Sequence, residues 1–275
     1  LRSLRHHILL CHLRTRRPYI LLPICGPCHS PLRLSAYAKA CEGETRAVGM
    51  REEVLAAVLS ANKELSRDEP EVAANIGLQL EHMGLSTWSI SVRRRIRDSI
   101  SLIEPKKIIQ TGAGIGHLSA WILDHYDGKN ELEHFQMIEE GNRFAVILTR
   151  LKERYSSVPS SIVVGSPSLL SSELKAWSIS KSGDAPMLPS ADAIIVDAPM
   201  VRLAGEIESM LPLLSNNGIL FSVEPTPPVG DRETDDPEVV GFNKWMELIR
   251  DSNETHHLAF APLFGGTIVA WLPRE

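Results

Sequence analysis

A chain of 275 residues, 43 % hydrophobic and 23 % charged, has the apolar mass for one α/β domain with an extension. No apolar run in it approaches the ~20 residues that a bilayer-spanning helix requires. Eight Lys and Arg against two acids give residues 1–49 a charge of +6, which leaves −11 on residues 50–275 of a chain whose net charge is −5. An acidic body shows no clear nucleic-acid footprint.

The 49 leading residues carry all four cysteines (Cys11, Cys25, Cys28, Cys41) and are broken by Pro18, Pro23, Pro27 and Pro31, with no sustained helical or strand period. Cys25-Gly-Pro-Cys28 superficially suggests zinc, but a second closely spaced ligand pair is missing. An Arg-rich, acid-poor leader also resembles a transit peptide. The favoured expectation is a disordered basic extension, or residues upstream of the real start at Met50. Without a disulfide framework, the remaining 226 residues suit a reducing, cytoplasmic setting.

From Met50 the pattern turns helical. Val54, Leu55, Val58, Leu59 and Leu65 predict one amphipathic helix; Ala73, Ile76, Leu80 and Met83 predict a second, stopped at Gly84. Trp88, Val92, Ile96 and Ile100 predict a third, with Arg93, Arg94 and Arg95 on a solvated face. This helical preface spans 50–104. Strand and helix then alternate over 105–275. Strands are predicted at Lys107–Thr111, Phe135–Glu139, Ser161–Gly165, Ala191–Asp197 and Gly218–Glu224. Helices are predicted at His117–Tyr126, Arg143–Tyr155, Leu169–Trp177 and about Leu203–Leu214. A helix at Val239–Arg250 and a hairpin of His257–Leu263 with Thr267–Leu272 complete the chain. Such βα alternation predicts a Rossmann-like, doubly wound, mostly parallel seven-stranded sheet with an antiparallel C-terminal hairpin.

The candidate chemistry lies at strand ends. Gln110-Thr111-Gly112-Ala-Gly114-Ile-Gly116 joins the first strand to its helix, where glycines let backbone approach a ligand and the helix start offers unpaired N–H groups. A dinucleotide fingerprint would need its third glycine one residue later, where His117 stands, and this weighs against a dehydrogenase. Glu139 ends the second strand, where an acid can accept both hydroxyls of an adenosine ribose. Ser166 follows the third strand and Asp197 the fourth. The solvated reading is preferred for the neighbouring Glu140.

Residues from about Ser86 to Pro273 resemble the catechol-type O-methyltransferases, a family of class I S-adenosylmethionine-dependent enzymes. The resemblance rests on Gln110 to Gly116, on Glu139, on Val196-Asp197-Ala-Pro199-Met200, and on Phe242-Asn-Lys-Trp-Met with Ala261-Pro-Leu-Phe-Gly-Gly-Thr. It implies S-adenosylmethionine as cofactor, held by Gln110, Thr111, Gly112, Gly114, Gly116, Glu139, Ser166 and Asp197. By the same resemblance Asp197 is the candidate catalytic residue, and Asp197 with Glu224 the candidate ligand pair for Mg²⁺. The chain departs from the family at several points. Gln110 replaces an acid, Ser166 replaces the adenine-side acid, Met200 stands where a lysine helps deprotonate the acceptor, and Glu224-Pro225 replaces an Asp-Asn pair. Asp197 and Glu224 are expected to converge, with any Mg²⁺ bound weakly. The resemblance implies methyl transfer to a hydroxyl of a small-molecule acceptor, and a homodimer is compatible with it. Two alternatives stand beside it: a non-catalytic cofactor-binding protein, and another group-transfer enzyme on the same fold.

Overall fold

The computed structural model describes residue 51 and residues 53–274; the cysteine-bearing leader, with its zinc and targeting readings, lies outside the described residues. A short helix over 53–58 (α1) precedes α2 (Glu71–His82) and α3 (Ile90–Ile103). There follow β1 (Lys107–Thr111), α4 (His117–Tyr126), β2 (His134–Glu139), α5 (Asn142–Arg154), β3 (Ser160–Val164) and α6 (Pro167–Ser180). The chain continues through β4 (Ala191–Val196), α7 (Met200–Met210), β5 (Leu214–Val223), α8 (Pro237–Thr255), β6 (His256–Leu263) and β7 (Gly266–Pro273).

The seven strands lie in the order β3-β2-β1-β4-β5-β7-β6. β1 to β5 pair in parallel, as crossover helices require, whereas β7 runs antiparallel to both β5 and β6. Because side chains alternate across a strand, neighbouring residues feed opposite layers. Ile108, Met137, Ile195 and Phe221 face α1 to α5, while Ile109, Ile138, Ile194 and Leu220 face α6 to α8. Burial on both faces is why these strands read as continuous apolar runs. β5 begins earlier than its apolar run suggests, at Leu214, and a register shift between Ala191 and Ala193 accommodates the extra length against β4.

Two expectations about the preface are corrected. The first helix does not run to Leu65: residues 59–69 are irregular. Nor do the arginines of α3 form a solvated face. Arg93 and Arg97 are buried, and Arg94 and Arg95 are half-buried. The two findings share a cause, since irregular backbone leaves carbonyls that need donors. Arg95 Nη1 donates to the Leu59 carbonyl at 2.5 Å, Arg97 Nη2 to Ser66 at 2.8 Å and Arg94 Nη1 to Arg67 at 2.9 Å. Arg97 also reaches Asp98, whose other oxygen accepts from the Asn62 amide. The guanidinium fork, donor-rich and rigid, thereby straps the 59–69 segment onto α3.

Candidate functional site

β1 lies between β2 and β4, so the connections leaving β1 and β4 depart to opposite faces and open a crevice at their carboxyl ends. The register Thr111↔Val196 sets Gly112 against Asp197, whose N–H donates to the Thr111 carbonyl at 3.3 Å. Gly112 has φ +64°, and a Cβ there would sit 1.8 Å from the Asp197 carbonyl oxygen. Gly112→Ala therefore forces β1 and β4 apart. We expect it to cost at least about 3 kcal/mol, or its soluble expression, as measured by urea unfolding beside the parent chain. Gly114, also left-handed at φ +56°, has open space where a Cβ would point, so no protein atom fills the middle of the loop.

Glu139, 8 % exposed at the end of β2, shapes this loop. Its Oε2 accepts from the Gly114 amide at 2.7 Å, and its Oε1 from the Gly141 amide at 2.9 Å. A carboxylate has roughly four lone-pair directions. The two amides use one on each oxygen and leave one on each for a vicinal diol. Ser166, the residue before α6, is half-buried beside this strand end, where the Gly165 amide donates to the Glu139 carbonyl at 3.1 Å. Gln110 is buried, lines the crevice and accepts from Ser119 Oγ at 2.9 Å, which ties β1 to α4. Thr111 is buried with its hydroxyl unpartnered.

A cavity of about 200 Å³ lies between the glycine loop and the preface, lined by Gly112, Gly114, Trp88, Arg93, His117 and Asp197 among others. The Asp197 carboxyl is pushed up to about 7, first by burial and then by the charges of Glu206 and Glu139. Glu206, 4 % exposed on α7, is likewise pushed up to about 7 by burial, against the relieving charge of Arg202. Arg202 itself sits at the surface, with Nη1 2.6 Å from Glu140 Oε1 and Nε 3.7 Å from Glu206. The crevice is thus rich in carboxyl groups, and a cationic ligand would relieve their repulsion.

The floor of the cavity holds a hub that periodicity does not reveal. Glu69 Oε1 lies 2.8 Å from Arg93 Nη2, 3.2 Å from His117 Nε2 and 3.3 Å from Trp121 Nε1, joining the irregular 59–69 segment to α3 and α4. Burial works to raise the Glu69 pKa, but Arg93 and His117 together outweigh it and hold Glu69 below its usual range. His117 is lowered, first by burial and then by Arg93, which favours the neutral ring against the opposing pull of Glu69. Trp88, Arg93, His117, Glu69 and Glu206 were not legible as site residues. The one sequence signal was His117, standing where a dehydrogenase would have glycine.

A second cavity, of about 430 Å³, adjoins the first and shares Trp88 as a wall. Met200, Leu203, Val223, Pro225 and Pro228 line it, with Glu224 at an exposed position. Glu224 is held by its backbone amide, which donates to the Thr267 carbonyl at 2.9 Å. Asp197 and Glu224 therefore line different cavities, and Pro225 offers no side-chain oxygen. Among the described residues, no group of three or more His, Cys, Asp or Glu is placed to hold a metal ion.

No protein-family model matches the sequence. No curated protein matches it in sequence either. Solved structures match its fold: the chain shares the Rossmann-like fold of several solved O-methyltransferases. A proposed caffeoyl-CoA O-methyltransferase from Staphylococcus aureus superposes with a TM-score of 0.58 at 14 % identity, over 81 % of this chain and 99 % of that one. The O-methyltransferase TomG of tomaymycin synthesis, from Streptomyces achromogenes and solved with S-adenosylmethionine, gives 0.56 at 16 % identity, over 75 % and 92 %. An O-methyltransferase from Bacillus cereus, solved with S-adenosylhomocysteine, gives 0.53 at 14 %, over 74 % and 92 %. No helix among the described residues is long and apolar enough to cross a membrane.

Proposed function

We propose that the protein binds S-adenosylmethionine at the crevice between β1 and β4 and transfers its methyl group to a hydroxyl of a small molecule, without a divalent cation. One observation carries this reading. The glycine loop is cleared of side chains at Gly114, bonded to Glu139 on one side and closed against Asp197 on the other. That arrangement offers lone pairs to a ribose and carboxyl charge to a cation. When bound, the cofactor supplies an electrophilic methyl group on a sulfonium.

The chain's own residues do the rest. Glu139 holds the ribose end, and Gly112, Ala113, Gly114 and Ile115 line the approach, while Gly116 packs against Leu148 and Leu151 of α5. The second cavity, separated from the first by Trp88 and lined by Met200, Leu203 and Val223 together with Glu224, Arg232 and Glu238, is the place for an acceptor. We assign the acceptor's proton to Asp197, which lines the adjoining first cavity, and a carboxyl near 7 is matched to proton transfer at neutral pH.

Incubating the full chain with methyl-labelled S-adenosylmethionine and pools of hydroxylated small molecules tests this. The expected result is labelled product whose yield EDTA leaves unchanged. Cofactor binding with no product from any pool would favour the non-catalytic reading, which Met200 and Pro225 support by withholding the family's lysine and asparagine. Loss of product on chelation would sink the metal-free mechanism.

A further inference from the structure

Resting on the acceptor cavity proposed above, we propose that the methyl acceptor is a hydroxylated organic cation, an amine protonated at neutral pH on an apolar body. Trp88 and the carboxylates of Glu224 and Glu238 recognise it.

The cavity makes the site, and its walls set what enters. At about 430 Å³ it falls within the ~300–1,000 Å³ of pockets that enclose a whole small molecule. Met200, Leu203, Val223 and Pro228 offer carbon surface to the acceptor's body. Trp88 offers an indole, the side chain whose ring attracts a cation most strongly. Its backbone is held from two sides. The Trp88 carbonyl accepts from Arg93 Nη1, while Ser89 caps α3 through the Val92 amide at 3.3 Å and donates its Oγ to the Phe264 carbonyl at 2.8 Å. A wall already in place costs less to order when a ligand arrives.

Charge decides the sign of the acceptor. Three charged residues line the cavity: Glu224, Arg232 and Glu238. The Arg232 charge is already engaged. Its Nη1 lies 2.5 Å from Glu238 Oε2 and 3.3 Å from Asp236 Oδ2, and its Nε donates to the Val229 carbonyl at 3.2 Å. One guanidinium shared by two carboxylates leaves that corner negative. Glu224 adds to it, since among the described residues no cation pairs with its carboxylate.

The surroundings have the same sign: residues 224–238 hold six acids against Arg232, a net charge of −5. Met200, where the resembled family has a lysine, brings no second cation to the lining. An anionic acceptor would meet like charge, which suppresses wrong partners. An ammonium meets the indole together with a carboxylate that has no other counter-charge. It takes no part in methyl transfer and serves recognition alone.

The test divides hydroxylated small molecules by ion exchange into cationic, neutral and anionic pools. Each is incubated at equal concentration with the full chain and methyl-labelled S-adenosylmethionine at pH 7.5. The cationic pool is expected to yield about tenfold more label than the neutral pool, and the anionic pool the least. Label confined to the neutral or anionic pool overturns the cation reading and leaves the transfer reading intact. No label from any pool overturns both. For the acceptor recovered from the cationic pool, Glu224→Gln should raise KM about fivefold, with the effect in KM rather than kcat. Raising salt from about 0.1 M to about 1 M, which shortens the Debye length from ~10 Å to ~3 Å, should raise KM by a similar factor. Glu224 is exposed, so the substitution leaves the fold alone, and binding of S-adenosylhomocysteine within about threefold of the parent chain reports this. A KM that neither change moves overturns the role of the carboxylates.

Discussion

Replacing Glu139 with alanine is expected to weaken binding of S-adenosylhomocysteine by about 100-fold, close to 2.7 kcal/mol. The carboxylate has two tasks. It accepts from the Gly114 and Gly141 amides, which fixes the loop, and it keeps a lone pair on each oxygen for a ribose diol. Hydrogen bonds to a charged group contribute about 1.5–3 kcal/mol net, and a loss of this size is expected when the diol's carboxylate partner is removed. Glu139→Gln keeps an acceptor oxygen but offers one amide hydrogen bond donor in the wrong place, and about a tenfold loss is expected. Calorimetry with S-adenosylhomocysteine measures both variants. Unchanged affinity in Glu139→Ala would remove the ribose role altogether.

Asp197→Asn should make the protein more stable and less functional at once. The Asp197 carboxyl titrates near 7 in the fold, above its ordinary 3.8, because burial and the charges of Glu206 and Glu139 disfavour the ionised form. A raised folded pKa means that the native state keeps a proton which the unfolded chain has already released. The stability it contributes is fully present below pH 3.8, declines as pH rises, and is lost once pH passes about 7. Asparagine carries no such pH dependence, so the variant's advantage grows from nothing near pH 4 to a plateau at pH 8.

Each pK unit corresponds to about 1.4 kcal/mol, and partial solvent contact reduces what survives to about 2 kcal/mol. For a domain of this size that is about 4–8 °C in melting temperature. Thermal melts at pH 5 and pH 8 test it, and equal shifts at both pH values would contradict the burial argument. Turnover should fall by about 100-fold if the carboxyl takes the acceptor's proton. Cofactor affinity in the parent chain should tighten as pH rises through 7, because an ionised Asp197 attracts a cation. An asparagine variant with full turnover would assign the proton to another group.

The alternation of strand and helix was legible because parallel strands buried on both faces must be apolar throughout. Ile108-Ile109 and Ile194-Ile195 each send one residue to either layer. The glycine loop was legible for a local reason as well: three left-handed positions within five residues, Gly112, Gly114 and Gly116, can be met by glycine with little strain. Those are properties of a few adjacent residues, and the sequence by itself determined them.

What the tertiary structure decided are pairings between residues far apart in the chain. Arg93 belongs on the polar side of its helix by any periodicity argument. It is buried because Glu69, 24 residues earlier, meets it across an irregular segment. Glu206, in the middle of a helix, becomes a titrating neighbour of Asp197 only when α7 packs down on the sheet. Strand order placed Asp197 and Glu224 at the ends of adjacent strands, and the tertiary structure sets them on two adjoining cavities that share Trp88 as a wall. Charge burial depends on which partner arrives from elsewhere in the chain, and a one-dimensional pattern carries no record of that meeting.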